Sequence, residues 1–212
     1  MKYVLCYGDS NTWGCIPQVF GRFDFSRRWP GVMQGILGDE YHVYENALNG
    51  RTTVFEDPIE EGRNGKANFD VTLMQNAPLD LIILMLGIND VKDRFGQAPW
   101  DIGWGMDLLI QYVKRSACGR DGGVPKILLV PPVQLNDEWG SSLHYTVFSQ
   151  SSIEKCARLP EIYRFIAERN ACGFFDPNGC VNAKGGDGIH MNAENHAILG
   201  REISAQVKLL IG

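Results

Sequence analysis

Leu81-Ile82-Ile83-Leu84-Met85-Leu86, followed at once by Gly87-Ile88-Asn89-Asp90, is the stretch that decides the fold. Five of the six apolar residues are branched aliphatics, and no polar residue breaks the run. A strand with one face in water alternates apolar and polar residues. A continuous apolar run of this length suits a parallel strand covered on both faces. The glycine, asparagine and aspartate that follow are turn residues, so the strand ends in a polar loop.

Similar runs occur on either side. Tyr3–Tyr7 is a short apolar strand closed by Gly8-Asp9-Ser10, and His42–Ala47 is a second strand leading to Asn49-Gly50. Lys126–Val130 is a fourth strand stopped by Pro131-Pro132, and Gly173–Phe175 a fifth. Between them, Trp29–Leu37, Phe69–Asn76, Ile102–Val113, Ser152–Asn170 and Ala193–Leu210 read as helices. Gly103 and Gly105 weaken the start of the third, and Pro160 predicts a kink in the fourth. Asn136–Gln150 has no clear period and is expected to be a loop. Strands alternating with helices predict an α/β fold, with a five-stranded parallel sheet wrapped on both sides. Without a repeat, a linker or a low-complexity tract, residues 1–212 are expected to form one domain.

Composition sets outer limits. Of 212 residues, 44% are hydrophobic and 21% charged, an ordinary globular balance. The formal net charge of -5 argues against nucleic acid and anionic membranes as partners. No run approaches the ~20 apolar residues of a membrane span, and Met1–Tyr7 is too short for a signal peptide, so a cytoplasmic location is expected. The six cysteines, Cys6, Cys15, Cys118, Cys156, Cys172 and Cys180, show no C-x-x-C spacing and are expected to be reduced and mostly buried.

Open parallel sheets bind ligands beyond the carboxyl ends of their strands. Four loops lie there: Gly8-Asp9-Ser10, Asn49-Gly50-Arg51-Thr52-Thr53, Gly87-Ile88-Asn89-Asp90 and, across a longer loop, Asp187-Gly188-Ile189-His190. Acyl transfer needs a nucleophile, a base, an orienter for the base and donors for an oxyanion. Ser10, before a turn at the sheet edge, is the candidate nucleophile. Asp187 and His190, three apart in a glycine-flanked turn, can pair so that the far ring nitrogen points outward. Asn89 can donate from its amide, and Gly50 can bring a backbone N–H close. Taken singly, each has a plainer reading as a turn or capping residue. Of the other histidines, His42 lies in a strand, His196 in the last helix, and His144, in the unassigned loop, is a distant second as base.

Taken together and in order, Gly8-Asp9-Ser10, Gly50, Gly87-x-Asn89-Asp90 and Asp187-x-x-His190 resemble the four blocks of the SGNH hydrolases, or GDSL-type esterases. Leu5–Gly14, Arg51-Thr52-Thr53, Met85-Leu86-Gly87 and Asp187–His190 look most like the bacterial arylesterase and acyltransferase branch. The resemblance implies a three-layer α/β/α, flavodoxin-like fold. It implies Ser10 as nucleophile, His190 as base, Asp187 as orienter, and an oxyanion hole of the Ser10 and Gly50 N–H groups and the Asn89 side chain. Asp9 and Asp90 match the motifs in more structural roles. Asn11 departs from the pattern, where the family often has leucine; beside the nucleophile, it is expected to alter substrate contacts and leave the chemistry intact.

The expected activity is hydrolysis of short-chain aryl or acetyl esters, with acyl transfer to alcohols, by a homo-oligomer. A carbohydrate acetylesterase, a thioesterase or a lysophospholipase would use the same machinery. Trp13 and Trp100 are candidates to wall the site. Phe20, Phe23, Phe25, Trp100, Trp104, Trp139, Tyr145 and Phe148 lie in or beside expected loops, as pocket walls and interface cores do. A flavodoxin-like nucleotide or flavin module is the non-enzymatic alternative. It lacks a G-x-G-x-x-G turn and a phosphate loop, since Gly62–Lys66 has the wrong spacing. No cofactor is implied. His190, Glu194 and His196 do not make a zinc motif.

Overall fold

The computed structural model describes residues 1–19, 21–142 and 146–212. Five parallel strands form one sheet: β1 (Lys2–Gly8), β2 (Tyr41–Ala47), β3 (Leu81–Met85), β4 (Lys126–Val130) and β5 (Gly173–Phe174), in the order β2-β1-β3-β4-β5. The order reverses between β1 and β3, and at such a switch point the following loops diverge and leave a crevice. The register places Gly8 beside Ala47 and beside Met85. The loops after the first three strands therefore leave the sheet at one level.

The apolar run of β3 is explained by what covers it. Ile82 and Leu84 join one hydrophobic cluster, and Leu81, Ile83 and Met85 join the other. On β1, Leu5 and Tyr7 face the first cluster, Val4 and Cys6 the second. Helices α3 (Phe69–Asn76), α4 (Pro99–Arg115) and α5 (Gln150–Asn170) supply the first layer; α2 (Trp29–Leu37) and α6 (Ala193–Ile211) supply the second. Each fully buried Leu or Ile of β3 contributes roughly 1.5–3 kcal/mol.

The expected elements match the observed ones to within a few residues, and three differences have physical causes. A one-turn helix, α1 (Ser10–Trp13), follows β1 directly; it is too short to show a period. α4 begins at Pro99, earlier than its glycines suggested. A Cβ on Gly103 would lie 2.4 Å from Ile162 Cγ2, and one on Gly105 2.5 Å from Thr53 Oγ1. These glycines buy close packing against α5 and the loop after β2, at the expense of helix propensity. α5 runs through Pro160 and takes in Gln150 from the expected loop, the rest of which holds a 3-10 turn at Asp137–Ser141. Among the described residues, no helix is long and apolar enough to cross a membrane.

Candidate active site

The loop that carries Ser10 is built by close contact. Asp9 caps α1, its Oδ1 accepting the Asn11 N–H at 3.0 Å. Gly8 has no room for a side chain, since a Cβ would lie 2.0 Å from Thr12 Oγ1. Ser10 therefore starts a helix pressed against the strand end, and it is only 5% exposed.

The Asp187–His190 turn meets it from far along the chain. Asp187 Oδ1 accepts the backbone N–H groups of Ile189 and His190 at 3.0 and 2.8 Å. Asp187 Oδ2 lies 2.7 Å from His190 Nδ1, and His190 Nε2 lies 3.0 Å from Ser10 Oγ. A carboxylate only accepts, so Nδ1 carries the proton and Nε2 is left to accept from the Ser10 hydroxyl. Burial works against the His190 cation, but hydrogen bonds and charge from Asp187 and Cys15 outweigh it and raise the ring to about 9. Burial also penalises the Asp187 carboxylate, yet the His190 contacts and the two backbone donors pull it down to about 2.

The other flank is a pair of laced loops. Gly50 sits at φ 78°, a left-handed conformation that glycine adopts without penalty. The Arg51 guanidinium donates to the carbonyls of Gly8 and Asn46 at 3.0 and 2.8 Å and lies 4.2 Å from the Tyr7 ring centre. Asn89 Nδ2 donates to the Arg51 carbonyl at 3.0 Å, which engages one of its two N–H groups. The Asp90 carboxylate accepts from Thr53 N–H at 2.9 Å and from the Thr53 hydroxyl. Burial raises Asp90 to about 6, the Thr53 hydrogen bonds opposing it. Burial likewise raises Asp9 to about 7.

A cavity of about 370 Å³ opens between the flanks. Gly50, Asn89, Asp187 and His190 line it, so the structure brings four of the five expected site residues to one cavity and hydrogen-bonds the fifth, Ser10, to His190. Trp13, Ile16, Val147 and Phe148 form an apolar side, while Asn49, Glu60 and Lys92 form a polar one. Lys92 pairs with Glu60 at 3.7 Å, and Glu60 also takes Arg94 at 2.7 Å.

Several expectations need correction. Asn11 does not line the cavity; it is buried and bonds to the His190 turn. Trp100 is not a wall of the site. It lies on α4 with Trp104, packed against Phe165, and all three are exposed by more than a third. Only half of the six free cysteines are buried, and Cys15 lines the cavity beside His190. His144, Phe20 and Tyr145 lie outside the described residues. His196 is committed to structure. Its Nδ1 accepts the Trp29 N–H at 3.3 Å, and burial lowers it to about 3. Sequence reasoning missed Lys92 and Cys15, which line the cavity and carried no signal; Arg51, within an expected site loop, supports the Gly8 carbonyl without lining the cavity.

A hydroxyl, an imidazole and a carboxylate in series at the carboxyl edge of a parallel sheet place the protein among acyl hydrolases. The profile of the GDSL-like lipase/acylhydrolase family matches residues 6–198, and the chain belongs to that family. The aryl esterase of M. smegmatis is 34% identical, with all of both chains covered and a TM-score of 0.94. A carbohydrate acetylesterase from Sinorhizobium meliloti is 36% identical, again with all of both chains covered, at a TM-score of 0.91. A lipase/acylhydrolase from Enterococcus faecalis, 15% identical over 98% of this chain and 96% of its own, shares the fold at a TM-score of 0.68. No curated protein sequence matches. The fold is that of the SGNH/GDSL esterases, and the protein is a carboxylic ester hydrolase of that family.

Proposed function

We propose that the protein hydrolyses short-chain carboxylic esters through an acyl-enzyme on Ser10. The observation that carries this reading is the unbroken series Asp187–His190–Ser10, at 2.7 and 3.0 Å. Ser10 Oγ attacks the ester carbonyl while His190 Nε2 takes its proton; Asp187 steadies the imidazolium. The Ser10 and Gly50 N–H groups and the second N–H of Asn89 receive the oxyanion. His190 returns the proton to the departing alcohol, and a water molecule repeats the sequence to release the acid. A cavity of about 370 Å³ fits an acetyl ester of an aryl alcohol or a sugar better than a long acyl chain.

The test is a series of p-nitrophenyl esters of increasing acyl length, run with wild type and Ser10→Ala. Acetate or butyrate should be turned over faster than palmitate, and Ser10→Ala should fall to a residual rate ~10³-fold above water. An unchanged rate in folded Ser10→Ala would end the proposal. The polar wall of Asn49, Glu60 and Lys92, and the likeness to a carbohydrate acetylesterase, favour a second reading in which the alcohol is a sugar. Faster deacetylation of an acetylated sugar than of p-nitrophenyl acetate would select it.

The same proposal includes acyl transfer to added alcohols, a cytoplasmic location and assembly into a homo-oligomer. Assembly is supported by the exposed Trp100, Trp104 and Phe165. A particle of 23.7 kDa by light scattering would remove assembly and leave the chemistry standing.

A further inference from the structure

We infer that Asn11 is a positioning residue for the base, a clamp between the nucleophile's helix and the turn that carries His190. Its Nδ2 donates to the Ile189 carbonyl at 3.0 Å, and its Oδ1 accepts the Met191 N–H at 3.0 Å. One amide thus grips the backbone on both sides of His190, as the peptide group of a neighbouring strand would. All three residues are buried, Asn11 at 2%, Ile189 at 3% and Met191 at 0%.

The clamp is rigid at its root. The Asn11 N–H is tied to Asp9 Oδ1, and its backbone lies within α1, which begins at Ser10. The other ties on this turn act elsewhere. Gln18 and Glu138 hold the backbone of Gly185 and Gly186, and Asn136 N–H donates to the Gly188 carbonyl. Asp187 bonds Ile189 and His190 from within the turn itself. Asn11 is the contact that refers the position of His190 to the residue next to the nucleophile. The leucine common at this place in the family has the right size but neither donor nor acceptor. In this chain it would leave a buried carbonyl and a buried N–H unpaired.

Asn11 does not line the cavity, so it acts through His190 and leaves substrate binding alone. A base displaced by a fraction of an ångström loses its in-line contact with Ser10 Oγ, and misplacement on that scale is costly to rate. The inference rests on the proposed roles of Ser10 and His190.

Asn11→Leu and Asn11→Asp test it in the full-length protein with p-nitrophenyl acetate. In Asn11→Leu, kcat should fall about 10- to 100-fold with KM unchanged. The acid limb of the pH profile should move to lower pH as the Asp187–His190 contact loosens, and the low-field proton resonance of His190 Nδ1–H should weaken or shift upfield. Asn11→Asp, when ionised, keeps the acceptor for Met191 and loses the donor for Ile189, so its kcat should fall between the two. If Asn11→Leu fails to fold, Asn11→Asp decides by kcat, KM and the Nδ1–H resonance, since its own carboxylate favours the His190 cation and shifts the acid limb independently. Wild-type kcat with an unmoved acid limb in a folded variant would overturn the inference, and so would a raised KM at unchanged kcat. Ser10→Ala, run alongside, separates the failures. An active Ser10→Ala sinks the underlying reading, whereas an inactive one beside a wild-type Asn11→Leu sinks the clamp alone.

Discussion

The two flanks of Ser10 bury carboxylates in opposite conditions. On the base flank, Asp187 accepts hydrogen bonds from a group that can be cationic, His190, and is pulled down to about 2. On the other flank, Asp90 accepts from the neutral N–H and hydroxyl of Thr53, and burial lifts it to about 6. Both are well bonded. Neutral donors act on both carboxylates, but only Asp187 adds the charge of an imidazole to them, and at Asp90 burial outweighs the Thr53 hydrogen bonds. One flank keeps a charge beside an imidazole, and the other uses a carboxyl group as a fastener.

The sharpest way to break this contrast is to neutralise each carboxylate in turn. Asp187→Asn should lower kcat by roughly 10³- to 10⁴-fold, because the imidazole loses both its tautomer restraint and its counter-charge. Its acid limb should also move. In wild type, the proposed role of His190 requires a neutral ring to take the Ser10 proton, so kcat/KM should rise with pH up to about 9. Without Asp187, burial is opposed on the ring only by Cys15, and the limb should drop below that. Asp90→Asn, which keeps an acceptor toward Thr53, should cost about tenfold or less. Rates of p-nitrophenyl acetate hydrolysis between roughly pH 5 and pH 10 check all of this, and equal losses in the two variants would erase the distinction.

A smaller effect sharpens the same comparison through stability. Asp9 is a third buried carboxyl group, raised to about 7 from its ordinary 3.8. Because its folded value lies above its unfolded one, the folded state holds more protons between those values, and stability falls as pH rises from about 4 to about 7. Asp9→Asn preserves the helix cap and removes the charge. It should stabilise by about 1–3 kcal/mol at pH 8 and by nothing measurable below pH 4. Urea titrations at the two pH values read this directly, and a gain of equal size at both would contradict it.

Much of the architecture was legible because burial on two faces leaves a mark in the chain. Leu81–Met85 could hardly be other than a central parallel strand, and Trp29–Leu37 carried its helical face openly. The four polar loops, in order, were enough to name Ser10, Gly50, Asn89, Asp187 and His190 as one group, and the structure gathers them. What stayed hidden depends on partners remote in sequence. Nothing local marks Asn11 as reaching Ile189 and Met191, or Arg51 as reaching back to Gly8. Gly103 and Gly105 misled for the same reason, since the side chains that require them belong to Ile162 and Thr53.

Ser10 and His190 stand 180 positions apart along the chain. Ser10 belongs to the first strand's exit, and His190 immediately precedes α6, whose docking on α2 is fixed in part by the bond between His196 and the Trp29 backbone. A chain emerging from the ribosome therefore exposes Ser10 long before it contains His190. With Ser10 and His190 in the proposed roles, chemical competence arrives only once residue 190 has been made, so a chain that stops short of it would be harmless to the esters around it.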